Sequence, residues 1–382
     1  MSRRPINILY FSSFNTLQWG GQKSLFHLVT RLDPDLYRPH VVVPAPGDLE
    51  ETLRSHDLGV TILPLPRILG AGIYKGVVPF RTLLKIIDQF QIDLLHTDGP
   101  RNTFYAGVAA KIKGLPLIWH IRDSSRDMFD MLLYWLSSKI ILVAEALRDR
   151  FWWATKTDKF VRIYNGVDLT AWSGKDALDD AEKQLLGIED DSFLIGANAR
   201  VDPFKGQRYL IEACGLLKKK IPHFHLLMAG NVADFSYVKE CEKRAEELGI
   251  HKRVHFLGHR NDVAHILNSV DVFILPSISR EAFSRSLIEA MAAGKPAIAT
   301  DVGGAKEAIE PDVSGFIVSP RDSVTLAERI LFLARNREER LRMGEAARIR
   351  ARDKFSIERN VHETVQLYRD VLERYPRREL NG

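Results

Sequence analysis

Short apolar runs alternate with longer segments of helical spacing along the whole chain. Ile6–Phe11 is the first run and reads as a strand. After the loop 12–21, residues 22–32 carry apolar side chains at helical intervals. Further strands are predicted at 40–43, 60–63, 93–96, 117–121, 140–144 and 161–164, most of them separated by helical segments. A second series opens at 193–199 and continues through 225–229, 254–257, 271–275, 297–300 and 315–318. Strands that alternate with helices form a parallel sheet, because each crossover lays a helix over one face. The pattern therefore predicts two α/β halves. The turn Asn165-Gly166-Val167-Asp168 stands between them, and the polar stretch 174–191 leads into the second. The expected domains are 1–168 and 169–355. From Asp322 onward the chain is helical and heavily charged, and its last segment, from 355 or 356, has an amphipathic pattern.

Composition narrows the class. A chain of 382 residues with 45% hydrophobic and 27% charged residues has the makeup of a globular protein with sizeable cores. No apolar run approaches the roughly 18 residues that span a bilayer. The start of the chain lacks the apolar length and cleavage site of a signal peptide. Cys214 and Cys241 fall in helical patterns, which suits a reducing compartment better than a disulfide framework. These features predict a cytoplasmic protein.

The net charge of +5 sits in residues 1–168, which hold 21 Lys and Arg against 16 Asp and Glu. A basic first half suits an anionic acceptor or an anionic lipid surface, and equally an ordinary scatter of surface charge. Phe151-Trp152-Trp153, beside Arg148, Arg150 and Lys156, suits either a membrane headgroup region or a domain core. No nucleic-acid motif is present.

The chemistry concentrates in the stretch Ser279-Arg-Glu-Ala-Phe-Ser-Arg-Ser-Leu-Ile-Glu-Ala-Met-Ala-Ala-Gly-Lys-Pro296. A buried strand precedes it. Leu287, Ile288, Ala290 and Met291 form a helical apolar face that Gly294 and Pro296 end. Ser286 to Glu289 fits a capping box, so the helix is expected to start near 284–286. Glu281 then lies in the loop and Glu289 about one turn inside the helix, with free N–H groups between them. Such a helix start suits an anionic ligand. Taken alone, Glu-x7-Glu suits a helix cap and a solvated loop charge as well. The whole stretch, however, resembles the Glu-x7-Glu signature of glycosyltransferase family 4, retaining enzymes of the GT-B fold, with Ala282 where glycine is usual.

The resemblance implies two Rossmann-like domains facing across a cleft and a last helix, about 356–382, that returns to the first domain. It implies a nucleoside-diphospho-sugar donor on the second domain, with UDP favoured over GDP, and a glycan or lipid-linked acceptor on the first. Glu281 would orient sugar hydroxyls and Glu289 the ribose, with Phe283, Ser284, Arg285 and Ser286 lining the donor. Arg200 and Lys205, in Ala199-Arg-Val-Asp-Pro-Phe-Lys-Gly206, would stabilise the departing diphosphate. His120, closing a predicted strand, would line the reaction centre, with His96 ranked below it and Arg122 a candidate for the acceptor. Gly20 and Gly21, in the loop after the first strand, would approach the donor phosphates, and Gly258 and Arg260 the base. No metal and no cofactor are expected, since two cations and a helix terminus can neutralise a diphosphate. A sugar-nucleotide epimerase or hydrolase on the same fold, or a non-catalytic binding protein, is the alternative.

Overall fold

The computed structural model describes residues 4–68, 75–154, 157–172 and 177–375. Residues 69–74, Lys156, the start of the polar stretch at 174–176, and residues 376–382 lie outside the described residues. The chain divides into two compact units, residues 1–166 with 357–382, and residues 167–356.

The first unit holds strands β1 (Ile6–Phe11), β2 (Tyr37–Val43), β3 (Gly59–Ile62), β4 (Leu94–Asp98), β5 (Leu117–Ile121), β6 (Lys139–Leu142) and β7 (Phe160–Arg162). They form one parallel sheet in the order β3-β2-β1-β4-β5-β6-β7. The crossing helices include α1 (Gly20–Val29), α2 (Asp48–Ser55), α3 (Val77–Gln89), α4 (Pro100–Lys113) and α5 (Asp130–Leu136). Strand β1 is apolar at every position but Asn7 because both faces are covered. Ile8 and Tyr10 pack with Leu25 and Leu28 of α1, whereas Leu9 and Phe11 pack with Leu83, Ile86 and Ile87 of α3. The last helix of the chain, Ile357–Arg374, belongs to this unit. Its Leu367, Tyr368 and Val371 join the cluster of Ile8 and Tyr10.

The second unit holds β8 (Phe193–Asn198), β9 (Phe224–Ala229), β10 (Val254–Gly258), β11 (Val272–Leu275), β12 (Ala297–Thr300) and β13 (Gly315–Val318). Its parallel order is β10-β9-β8-β11-β12-β13. Its helices are α6 (Asp180–Leu185), α7 (Gln207–Leu217), α8 (Phe235–Glu247), α9 (Val263–Ser269), α10 (Arg285–Ala292), α11 (Ala305–Ala308), α12 (Ser323–Arg335) and α13 (Arg337–Phe355), which makes the last helix α14. Ile195 and Ala197 pack with Leu210, Ile211 and Cys214 of α7 and with Leu326 and Ile330 of α12. Cys214 and Cys241 are both buried free thiols.

The two sheets share one feature that matters for function. Successive strands are added in one direction and then in the other, so the order reverses between β1 and β4 in the first unit and between β8 and β11 in the second. Loops leaving the carboxyl ends of two such strands diverge and leave a crevice, the usual ligand site of an open parallel sheet. Among the described residues, no helix is long and apolar enough to cross a membrane.

Candidate functional site

In the second unit the loops after β8 and β11 leave the sheet at its reversal and are tied together. Asp202 caps the short turn Pro203–Lys205, its carboxylate accepting the Phe204 N–H at 2.8 Å and the Arg200 Nε–H at 2.5 Å. Gly206 follows with φ 71°, and a Cβ there would sit 2.1 Å from the Pro276 carbonyl oxygen. No L side chain fits, so the β8 loop presses on the end of β11. The Ile278 N–H completes the tie by donating to the Phe204 carbonyl at 2.8 Å.

This junction brings Lys205 onto Glu281. Lys205 Nζ donates to Glu281 Oε2 at 2.6 Å, and Ser277 Oγ donates to the same oxygen at 3.0 Å. Glu281 is 8% exposed. Arg280 beside it has φ 55°, an unusual conformation for a side-chain-bearing residue, and its guanidinium lies 3.8 Å from the Phe204 ring centroid. Gly303 closes the far side, where a Cβ would lie 2.2 Å from the Glu281 carbonyl oxygen.

Helix α10 starts at Arg285, four residues after Glu281. Its cap is Ser284, whose Oγ accepts the Leu287 N–H at 3.3 Å. The expected capping box of Ser286 and Glu289 is therefore not formed. With Ser284 at the cap, the box position falls on Leu287, and Glu289 lies a turn inside, where it pairs with Arg285 at 3.3 Å. Ser286 Oγ meets Ser284 Oγ at 3.0 Å. Phe283 also departs from expectation. Its side chain is 4% exposed and packs 5.3 Å from the Phe355 ring, so its backbone, and not its ring, is left to meet a ligand.

Gly258 ends the edge strand β10, two strands from β8, and Arg260 follows it. Gly258 has φ 65° and open space where a Cβ would point. Arg260 is held by Asp262, at 2.7 Å to Nε, and by Glu182 of α6 at 2.9 Å, and these carboxylates raise its already high pKa. Among the described residues, the group with metal-ligand spacing is Glu189, Asp191 and His223, all exposed. It lies just ahead of β8 and β9, at the amino edge of the sheet, away from Lys205 and Glu281.

In the first unit, the carboxyl edge at the reversal carries Asp98, the last residue of β4. Its carboxylate accepts from Ser13 Oγ at 2.8 Å, Asn102 Nδ2 at 3.2 Å and Gln22 Nε2 at 3.3 Å. Burial pushes the Asp98 carboxyl up from its ordinary pKa against the pull of these bonds and of Arg122. His120 lies opposite Asp98 on β5 and is 2% exposed. Its Nδ1 faces His96 Nε2 and Arg122 Nη2, each at 3.2 Å. Arg122 Nη1 donates to Asn165 Oδ1 at 3.2 Å, and His96 Nδ1 meets the Tyr368 hydroxyl at 2.6 Å. Burial, and then the Arg122 charge, lower the pKa of both histidines, His96 to about 3.

Gly20 and Gly21 are not in a loop. They form the first turn of α1, whose end no side chain caps, and neither has a left-handed φ. What a side chain at Gly21 would meet is Arg122, whose Cδ would lie 3.5 Å from its Cβ. The sequence reading missed Asp98, Asn165 and Tyr368 and ranked His96 low. Tyr368 sits in the last helix, far along the chain, and nothing local to it announces the contact. The basic–aromatic group also needs correction. Arg150 is 5% exposed and donates to both Asp130 oxygens, at 2.9 and 2.6 Å, and Phe151 is 1% exposed; only Trp152 of that trio is exposed.

Comparison with known proteins supplies the family. Residues 20–171 match the model described as Glycosyltransferase Family 4, and residues 179–350 match that described as Glycosyl transferases group 1. EpsD of Bacillus subtilis (strain 168) is 29% identical over 314 residues, 77% of this chain and 81% of that one. The UDP-Gal:alpha-D-GlcNAc-diphosphoundecaprenol alpha-1,3-galactosyltransferase of Escherichia coli is 23% identical over 328 residues, 79% and 81% of the two chains. Anabaena Alr3699/HepE, in crystal structures with UDP and with UDP-glucose, superposes with TM-scores of 0.82 and 0.81 at 23% identity, over 96% of this chain and 100% of that one. The two family models fall one on each α/β half and together span most of the sequence, and the fold matches over nearly its full length; the chain belongs to glycosyltransferase family 4 and has the GT-B fold of two Rossmann-like units.

Proposed function

We propose that this glycosyltransferase moves a hexose from a nucleoside-diphospho-sugar, UDP favoured and GDP second, to a glycan or lipid-linked acceptor, with retention of configuration and without a metal ion. The observation that carries this reading is the Lys205–Glu281 pair at the reversal of the second sheet, three residues ahead of Ser284, the cap of α10. Sugar transfer passes through an oxocarbenium-like state, so the charge that must be managed is on the departing diphosphate. An ammonium has three N–H donors, and the bond to Glu281 uses one. Lys205 thus has donors left for a phosphate while its position is fixed. Arg200 and the α10 amides add to the same site. Glu281 orients the sugar hydroxyls, Glu289 holds the ribose, and Gly258 and Arg260 flank the base. In the first unit, Gly20 and Gly21 are assigned to a phosphate and His120 to a sugar. Retention without a protein nucleophile follows from same-face attack assisted by the donor phosphate.

The choice of UDP draws support from the Escherichia coli relative, named for UDP-Gal, and from the Anabaena protein, crystallised with UDP-glucose. The first of these names also carries a diphosphoundecaprenol acceptor, which supports a lipid-linked substrate. A surface of the first unit fits that reading. Met128, Met131, Leu132 and Trp135 follow helical spacing on and just before α5 and are all exposed, as is Trp152. Lys159 lies 5.6 Å from the Trp135 ring centroid. Apolar side chains and a cation on one surface suit peripheral contact with an anionic membrane.

The test is product analysis with a panel of UDP- and GDP-hexoses, with and without glycan and polyprenyl-linked acceptors. The expected result is acceptor-dependent transfer from a UDP-hexose, with the donor's anomeric configuration kept in the product. Acceptor-independent loss of donor would favour the hydrolase or epimerase. A ligand-induced rise in melting temperature with no product from any acceptor would favour a binding protein.

A further inference from the structure

A line of groups in the first unit, half-buried at Arg122 and fully buried beyond it, runs from Arg122 through His120, His96 and Tyr368 to Tyr10, and its hydrogen bonds can point only one way. A guanidinium donates and never accepts, so across 3.2 Å Arg122 Nη2 donates to His120 Nδ1, which must therefore carry a lone pair. A second lone pair facing it would repel it, so His96 Nε2 carries a proton and donates, also at 3.2 Å. His96 Nδ1 is then the acceptor of the Tyr368 hydroxyl at 2.6 Å, and the Tyr368 oxygen accepts from the Tyr10 hydroxyl at 2.9 Å. Both imidazoles are neutral, as burial beside a fixed cation requires. The remaining proton of His120 therefore sits on Nε2. That atom is buried and, among the described residues, has no hydrogen-bond partner. A buried N–H without a partner is uncommon in a folded protein and points to a ligand acceptor.

We infer that Arg122 is a positioning residue that holds His120 in the Nε2–H tautomer, so that His120 presents an uncharged hydrogen-bond donor to a sugar oxygen, and that His96 and Tyr368 carry the same polarity back to the last helix. Asn165 steadies the guanidinium from the end of the domain, at 3.2 Å. The arrangement gives Arg122 a task other than contact with an acceptor, and it gives α14 a direct stake in the site. The role of His120 toward the sugar rests on the function proposed above; the tautomer does not.

The experiment is nitrogen-15 NMR of the histidine side chains in the full chain, followed from about pH 8 to about pH 5.5, the range in which an ordinary histidine changes charge. The expected wild-type result is His120 protonated at Nε2 and bare at Nδ1 throughout. Arg122→Lys keeps a charged, donor-only group and should keep that signature. Arg122→Met should give a mixture of tautomers, raise the titration of His120 and add an acidic limb to the pH profile of kcat, with donor KM little changed. A wild-type His120 protonated at Nδ1, or an Arg122→Met spectrum with an unaltered tautomer, overturns the inference. Tyr368→Phe is the second variant, should Arg122→Met fail to fold. It removes the donor to His96 Nδ1 and should shift that nitrogen's resonance, and an unmoved resonance also overturns the relay. A tautomer that depends on Arg122 in a protein that transfers no sugar supports the relay and removes the transferase reading.

Discussion

Replacing Lys205 tests the leaving-group site most directly, because the structure lets its structural and chemical effects be separated. Lys205→Met removes the 2.6 Å bond to Glu281 and leaves that carboxylate with the Ser277 hydroxyl. The side chains of Lys205 and Glu281 are 20% and 10% exposed. Breaking a fully buried pair costs about 3–5 kcal/mol, because one charge is left without its partner. Water reaches Lys205, so a cost of roughly 1–3 kcal/mol is expected here. For a unit of this size that is a fall in melting temperature of roughly 2–12 °C. Lys205→Met with Glu281→Gln removes both charges and should recover most of that loss. Turnover should behave differently. Losing one preorganised donor to a developing negative charge lowers turnover by about 10²–10³-fold, and the double variant cannot recover it. The assay is thermal unfolding alongside donor turnover for the two single variants and the double. A folded Lys205→Met with near wild-type turnover, or a double variant that regains activity together with stability, would refute the assignment of Lys205 to the diphosphate.

The other expectations are simpler to test. Turnover should persist after exhaustive chelation, since the residues assigned to the diphosphate are cations and amides; loss that magnesium or manganese restores would sink the metal-free mechanism. Stability should fall on acidification below about pH 6.5. The His96 pKa is about 3 in the fold against 6.5 unfolded, so the unfolded chain binds the proton first. That stability is full above pH 6.5 and is lost as pH drops toward 3, by up to about 1.4 kcal/mol per pH unit; unfolding temperatures that stay flat from pH 7 to pH 5 would contradict it. The protein should co-sediment with anionic vesicles at low salt and be released at high salt, and Trp135→Ala with Trp152→Ala should weaken this without altering donor turnover. Arg150→Gln, by contrast, should lower stability through the lost Asp130 pair, and a clear effect on vesicle binding in a stable Arg150→Gln protein would show that the surface has been misread.

Some of this protein is written locally in its sequence. Strands covered on both faces must be apolar at nearly every position, so Ile6–Phe11 and its counterparts stand out from helices that are apolar on one stripe. The Asp271 to Pro296 segment likewise carries its strand, cap, helix and stop within one window. Errors there were of a single step. Ser284 and Ser286 can both cap a helix, and which one does so depends on how the preceding loop enters, which here is set by Gly206 and Gly303 pressing on β11 and on Glu281. Glycine disfavours helix interiors, so Gly20 and Gly21 read as loop, yet at a helix start that cost is small.

Strand order is a different matter, because it is fixed by which crossover goes to which side of the sheet, and no single segment encodes it. Only the folded sheets show that Lys205 and Glu281 meet at a reversal, that Asp98 ends a strand at another, and that Arg150, which reads as a surface cation, is buried against Asp130. The link from Tyr368 to His96 joins residues 272 positions apart and depends on the last helix docking on the first unit's sheet. Periodicity records how a segment meets its own surroundings, solvent or core. It carries no information about which distant segment supplies those surroundings, and in this protein that is where the polarity of His120 is decided.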